Sequence, residues 1–157
     1  MFCIGDRVVY PMHGAGIIEA VEERNITGER QAYYVMLLPG EMRVFIPTSS
    51  VANMGLRQVV SKGDIPKVLD VLRESLDEDQ GNWNRRYRAN LEKMRTGCIM
   101  AVAEVVGTLT IRDRTRGLST GEKRMLEKAQ QILVSELTLV ENISEEEAQR
   151  LVLAACG

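Results

Sequence analysis

The chain has little of what most catalysis needs. Its one histidine, His13, lies between Met12 and Gly14 in a turn-like stretch. No Ser/His/Asp set can be assembled around it with any geometric warrant, and a pairing of Cys98 with His13 has nothing to recommend it. The cysteines Cys3, Cys98 and Cys156 are odd in number, widely spaced and form neither a CxxC pair nor a metal-like cluster with the histidine. Such usage fits a reducing, cytoplasmic setting. No metal, cofactor or enzymatic activity is therefore expected. No apolar run approaches the ~20 residues of a membrane span. Nor is there a basic start followed by an apolar stretch and a small-residue cleavage site, so no secretory signal is expected.

Excess charge of one sign is also missing, with a formal net charge of −2 over 157 residues. That excludes wholesale coating of nucleic acid, but the average hides segregation. Residues 83–128 carry eleven Lys and Arg against five Asp and Glu, or +6. Residues 62–82 carry −3, residues 129–157 carry −4, and residues 1–61 carry −1. One basic block thus lies between acidic flanks in the second half. Elsewhere the composition is that of an ordinary globular protein, 45% hydrophobic and 27% charged.

Periodicity divides the chain near residue 61. Before it, short apolar runs (Val8–Tyr10, Ile17–Val21, Ala32–Leu38 and Met42–Pro47) alternate with Pro/Gly turns, including Thr27-Gly28-Glu29 and Pro39-Gly40. On the last strand Arg43, Phe45 and Pro47 share one face, and Met42, Val44 and Ile46 the other. This spacing predicts a small barrel or strongly bent sheet, too thin a core to stand without support from the rest of the chain. After residue 61 the spacing becomes helical. Asp64 and Pro66 open a helix that "DEDQG" (77–81) breaks; Asn82 caps a second through about Arg95; "CIMAVAEVVGTLTIRDRTR" forms a third, closed by Gly117. Ser119 with Glu122, and Ser144 with Glu147, are capping boxes that open two more. The prediction is an α+β protein: residues 1–61 a β domain, residues 62–157 an all-helical domain of about five helices.

Two glycine-bearing stretches lack phosphate-loop chemistry. Gly14-Ala15-Gly16 is followed by no helix, and "GLSTGEKRML" lacks the required spacing and reads as a turn and helix start. The run Glu145-Glu146-Glu147 suits a helix N-terminus, where the dipole favours it. The stretch "NWNRRYRANLEKM" (82–94) is different, since it sets the only tryptophan, Trp83, beside Arg85, Arg86 and Arg88 at the start of the basic block. On a helix, Tyr87, Leu91 and Met94 share the core-facing side, with Trp83 in the first turn near Tyr87. Two readings stay open on these residues alone. Trp83 packs beside Tyr87 among solvated arginines, or it forms an apolar wedge beside an arginine cluster that meets nucleic acid.

"GDRVVYPMHGAGIIEAVEER", "NWNRRYRANLEKM" and "RGLSTGEKRMLEKAQQILVSEL" together resemble, in order and over nearly the whole chain, the CarD/CdnL family of bacterial transcription regulators. The first module is also similar to the polymerase-interacting domain of transcription-repair coupling factors, but no helicase segments are present. The resemblance implies a Tudor/SH3-like β barrel that binds the RNA polymerase β subunit. It also implies a helical domain that contacts promoter DNA in the minor groove, with low sequence specificity, near the upstream edge of the melted −10 region. Carried onto this sequence, the wedge is Trp83, Arg85 and Arg86 meet the DNA backbone, and Lys123 lies in a further DNA-contacting motif. The polymerase-facing residues are Arg24 and the strand residues Arg43, Phe45, Ile46 and Pro47. Phe45 stands where the family commonly carries an arginine, with Arg43 two residues earlier on the same strand face. The resemblance implies that such a regulator stabilises the open promoter complex and is nucleoid-associated through polymerase; a monomer in solution is expected, with strand pairing or swapping by exposed edges of the β module left open. The alternatives are a protein–protein adaptor and a stand-alone DNA-binding repressor; no clear helix-turn-helix pattern supports the latter.

Overall fold

The computed structural model describes residues 1–26, 28–77 and 82–157. Part of the 27–29 turn and most of the 77–81 break therefore lie outside the described residues. Strand β1 (Arg7–Tyr10) turns at Pro11–His13, where Met12 takes φ 72° and the His13 amide donates to the Tyr10 carbonyl at 2.9 Å. It returns as β2 (Gly14–Asn25), followed by β3 (Arg30–Leu38) and β4 (Met42–Pro47). A single helical turn, α1 (Val51–Met54), and the two-residue β5 (Arg57–Gln58) complete the module. All pairings are antiparallel in the order β4-β3-β2-β1-β5. The sheet is bent rather than closed, with β4 at one edge and β5 at the other. The Tudor-like fold is thus an open, curled sheet, and α1, which no helical period announces, helps seal its inner face.

Alternation decides what that face holds. Val8, Ile18, Tyr34, Met36, Leu38 and Ile46 make a core that Val51, Met54 and Leu56 close from below. The register shifts between Ile18 and Ala20, a bulge that leaves Glu19 outside the pairing and puts it on the outer face. There it accepts from Arg43 Nε at 2.8 Å. Gly16 is required at the closest strand approach, because a Cβ there would lie 2.1 Å from the Leu37 carbonyl oxygen.

The second half forms α2 (Ile65–Arg73), α3 (Trp83–Arg95), α4 (Ile99–Thr115), α5 (Thr120–Glu141) and α6 (Glu145–Ala155). Three of the expected caps are made: Asn82, Ser119 and Ser144 accept from the amides of Arg85, Glu122 and Glu147. Asp64 does not cap α2. Its carboxylate turns back to the Ser61 amide and hydroxyl, because Ser61 caps a 3-10 turn (Lys62–Asp64) in which Asp64 is the third residue of a capping box. Ile65, Val68, Leu72, Met94, Val102, Val106, Leu109, Leu133 and Leu137 lie in one continuous helical core. Among the described residues no helix is long and apolar enough to cross a membrane.

The two halves are joined through α5. The Ala15 amide donates to Ser135 Oγ at 2.8 Å, so the Gly14-Ala15-Gly16 stretch is a docking point for a helix. Arg7 Nη1 donates to the Leu139 carbonyl. The strongest link is Arg57 with Glu136, whose side chain is 3% exposed. Its carboxylate accepts from Arg57 at 2.7 and 2.9 Å and from the Val60 amide at 2.9 Å. Arg57 Nε donates to the carbonyl of Gly97, in the α3–α4 turn, at 2.9 Å. Removing one partner of such a pair strands a buried charge, whereas replacing both with apolar groups does not. Arg57→Ala is therefore expected to lower unfolding free energy by about 3 kcal/mol, read by urea denaturation. The double variant Arg57→Met/Glu136→Leu should cost clearly less than the single change; an equal or larger loss would show that the pair does not act as a unit.

Candidate nucleic-acid interface

Trp83 opens α3 just after the Asn82 cap, which fixes the helix start by accepting from Arg85 N at 3.0 Å. Met94 is buried, and Tyr87 and Leu91 pack against the helical core, so this side of α3 holds the helix down. Trp83 lies outside that core, 42% exposed. It is nevertheless fixed. Its ring stacks on Tyr87 with centroids 5.3 Å apart and planes 21° from parallel. Its Nε1 donates to Ser119 Oγ, at the start of α5, at 2.6 Å. A Cβ added to Gly121 would lie 3.5 Å from Trp83 and 3.7 Å from Tyr87, so the paired rings run over the first turn of α5.

The arginines beside Trp83 divide into two kinds. Arg85 and Arg88 are exposed, as are Lys123 and Arg124 on the first turns of α5. Arg86 points the other way, and its placement departs from the expected pairing with Arg85 on a DNA backbone. Its side chain is only 13% exposed, and its Nε lies 3.6 Å from Oε2 of Glu122, itself 2% exposed. Glu122 is the third residue of α5, and its amide donates to the Ser119 cap. Its carboxylate accepts from the Ser119 hydroxyl rather than from the Ser119 backbone amide of a full capping box, and burial beneath α3 gives that carboxylate an inward-facing cation. Nothing local in the sequence distinguishes Arg86 from its neighbours, because its partner is remote in the chain. Asn90, also buried on this helix, was likewise not marked by periodicity.

The other expected site residues lie on the sheet. Arg24, Arg43 and Phe45 are exposed and Pro47 is half-buried on the outer face of β2–β4. The Arg24 guanidinium lies 4.6 Å from the Phe45 ring centroid and pairs with Glu22 at 2.8 Å. Ile46 is 1% exposed in the sheet core, so its side chain is unavailable to a partner; alternation along β4 turns it inward. Only its backbone, on the edge strand, remains at the surface of the sheet. The Trp83 cluster and this sheet face are separate surfaces, joined by the Arg57–Glu136 link.

Sequence comparisons define the class to which this two-part arrangement belongs. Residues 2–60 match the family described as CarD-like/TRCF RID domain, and residues 67–153 match CarD, C-terminal domain. A protein of Bacillus subtilis (strain 168) named "Putative transcription factor YdeB" is similar, at 38% identity over 148 residues, covering 94% of this chain and 97% of that one. The chain belongs to the CarD family of transcription regulators, whose N-terminal modules interact with RNA polymerase.

The inward and outward arginines should separate in stability measurements. Arg86→Ala leaves Glu122 buried without its cation and is expected to cost about 2 kcal/mol. Arg85→Ala should stay within about 0.5 kcal/mol of wild type. Chemical denaturation of the two variants checks this; equal effects would contradict the division.

Proposed function

We propose that this chain anchors on the RNA polymerase β subunit through the outer face and free edge of β2–β4, and stabilises the open promoter complex by setting Trp83 against the minor groove at the upstream edge of the −10 bubble. The observation that carries the reading is the placement of Trp83. It is a large apolar ring left half in solvent, held on two sides, beside exposed Arg85 and Arg88 and with Lys123 on the adjoining helix. An apolar wedge can insert at a base step that is already partly unstacked, and neighbouring cations neutralise phosphate without reading sequence. Arg86 takes a supporting role here and leaves the backbone contacts to Arg85, Arg88 and Lys123.

Melting is an equilibrium between closed and open complexes, and a bound factor shifts it by its differential affinity for the two. Anchoring on polymerase makes the DNA contact intramolecular, so a weak contact suffices. A chain of net charge −2 can therefore act on DNA through one basic block.

Trp83→Ala is expected to abolish the lengthening of open-complex lifetime while retaining capture by polymerase. An unchanged lifetime with this variant would overturn the DNA reading. Arg24→Glu should weaken capture by the isolated β subunit by about tenfold and leave the Trp83 surface intact, as read by the protein's intrinsic fluorescence. Capture equal to wild type would remove Arg24 from the anchor.

A further inference from the structure

The Ser119 hydroxyl has two tasks, and only one belongs to its helix. As the α5 cap it accepts from the Glu122 amide at 3.2 Å and donates to Glu122 Oε1 at 3.2 Å. It also accepts from Trp83 Nε1, 36 residues away, at 2.6 Å. A serine hydroxyl offers one donor and two acceptor positions, so all three are engaged. Glu122, the residue that receives the hydroxyl proton, pairs in turn with Arg86 on α3, three residues after Trp83. Ser119, Glu122, Arg86 and Trp83 thus form one chain of contacts that fastens the α3 start to the α5 start.

We propose that Ser119 is a positioning residue for Trp83: its hydroxyl fixes the angle at which the indole leaves the surface and occupies the indole's only hydrogen-bond donor. Tyr87 supports the ring on its flat side and Ser119 holds its edge, so the free part of the indole projects in one orientation. With Nε1–H engaged, the ring offers a partner carbon edge and π-face alone. It cannot donate to the acceptors that line a minor groove. A contact made this way registers the shape and stacking of a base step rather than the identity of its bases. This inference rests on the proposed DNA role of Trp83.

The indole N–H test needs no variant. As the chain's only tryptophan, Trp83 gives a single indole N–H resonance. In the free protein that proton is expected to exchange with water markedly more slowly than in a solvated indole; exchange at the solvated rate would overturn the proposal. Glycine caps a helix nearly as well as serine, so Ser119→Gly removes the acceptor with little effect on α5. The full-length variant is expected to show faster indole exchange and stronger acrylamide quenching. With polymerase holoenzyme on a promoter fragment, it should shorten open-complex lifetime by about two- to tenfold, the range of one hydrogen bond. Ser119→Thr, which keeps the hydroxyl, should restore all three. If Ser119→Gly keeps the wild-type lifetime while Trp83→Ala loses it, the positioning role fails and the wedge stands. If neither variant changes the lifetime, the DNA reading itself has failed.

Discussion

The buried carboxylate of Glu136 is the constraint on which the arrangement of the two halves depends. Its three hydrogen bonds come from Arg57 in β5 and from the chain just beyond that strand, while Arg57 also reaches the turn between α3 and α4. One ion pair therefore connects the sheet, the long central helix and the turn that follows the helix carrying Trp83. Burying charge is costly, and an apolar replacement of both partners is often no less stable. What the pair contributes that a greasy contact would not is direction, because two parallel hydrogen bonds fix the angle of the guanidinium as well as its distance. For a protein proposed to hold one macromolecule with its sheet and touch another with its helices, that angle sets the reach between the two contacts. Tethered binding gains only when the linkage can place both sites at once.

The same economy governs the Trp83 cluster. A solitary exposed indole would lose much of its binding energy to ordering on contact. Here the ring is already ordered, by Tyr87 below it and Ser119 at its edge. The acidic Glu122 that anchors this arrangement is shielded beneath Arg86, so it does not oppose a phosphate backbone as an exposed carboxylate would. An inward arginine thereby serves the outward ones: it neutralises the carboxylate that holds the platform, leaving Arg85, Arg88 and Lys123 to shape the surface potential.

Features set by near neighbours in the chain were legible in the sequence. The caps at Asn82, Ser119 and Ser144 depend on residues three positions away, and Tyr87 and Met94 reach the core because helical periodicity puts them there. Alternation along β4 placed Arg43 and Phe45 outside. It also turned Ile46 inward, which the carried-over polymerase contact set did not respect. Contacts between distant segments stayed hidden. Arg86 resembles Arg85 until Glu122 comes to lie against it, and Ser119 reads as an ordinary cap until the indole arrives from another helix. Gly14-Ala15-Gly16 could be dismissed as a phosphate loop from its spacing, but its use as the seat of α5 needed Ser135, 120 residues beyond Ala15. Asp64 was a different kind of miss, since an equally local signal, Ser61 three residues earlier, competed for the same cap and won.

Phe45 and Arg24 meet across the outer face of the sheet. An arginine there would stand close to Arg24 and repel it, whereas the ring attracts the guanidinium, with its carbon 4.6 Å from the centroid. Exposed contacts of this type contribute on the order of 0.5–1 kcal/mol, enough to hold a long side chain flat against the sheet. Glu22 pairs with Arg24 and Glu19 with Arg43, so both cations are held in fixed positions along the β4 side of the sheet. The proposed anchoring face therefore presents a packed pair, the Arg24 guanidinium over the Phe45 ring, with Arg43 two residues from Phe45 along the same strand.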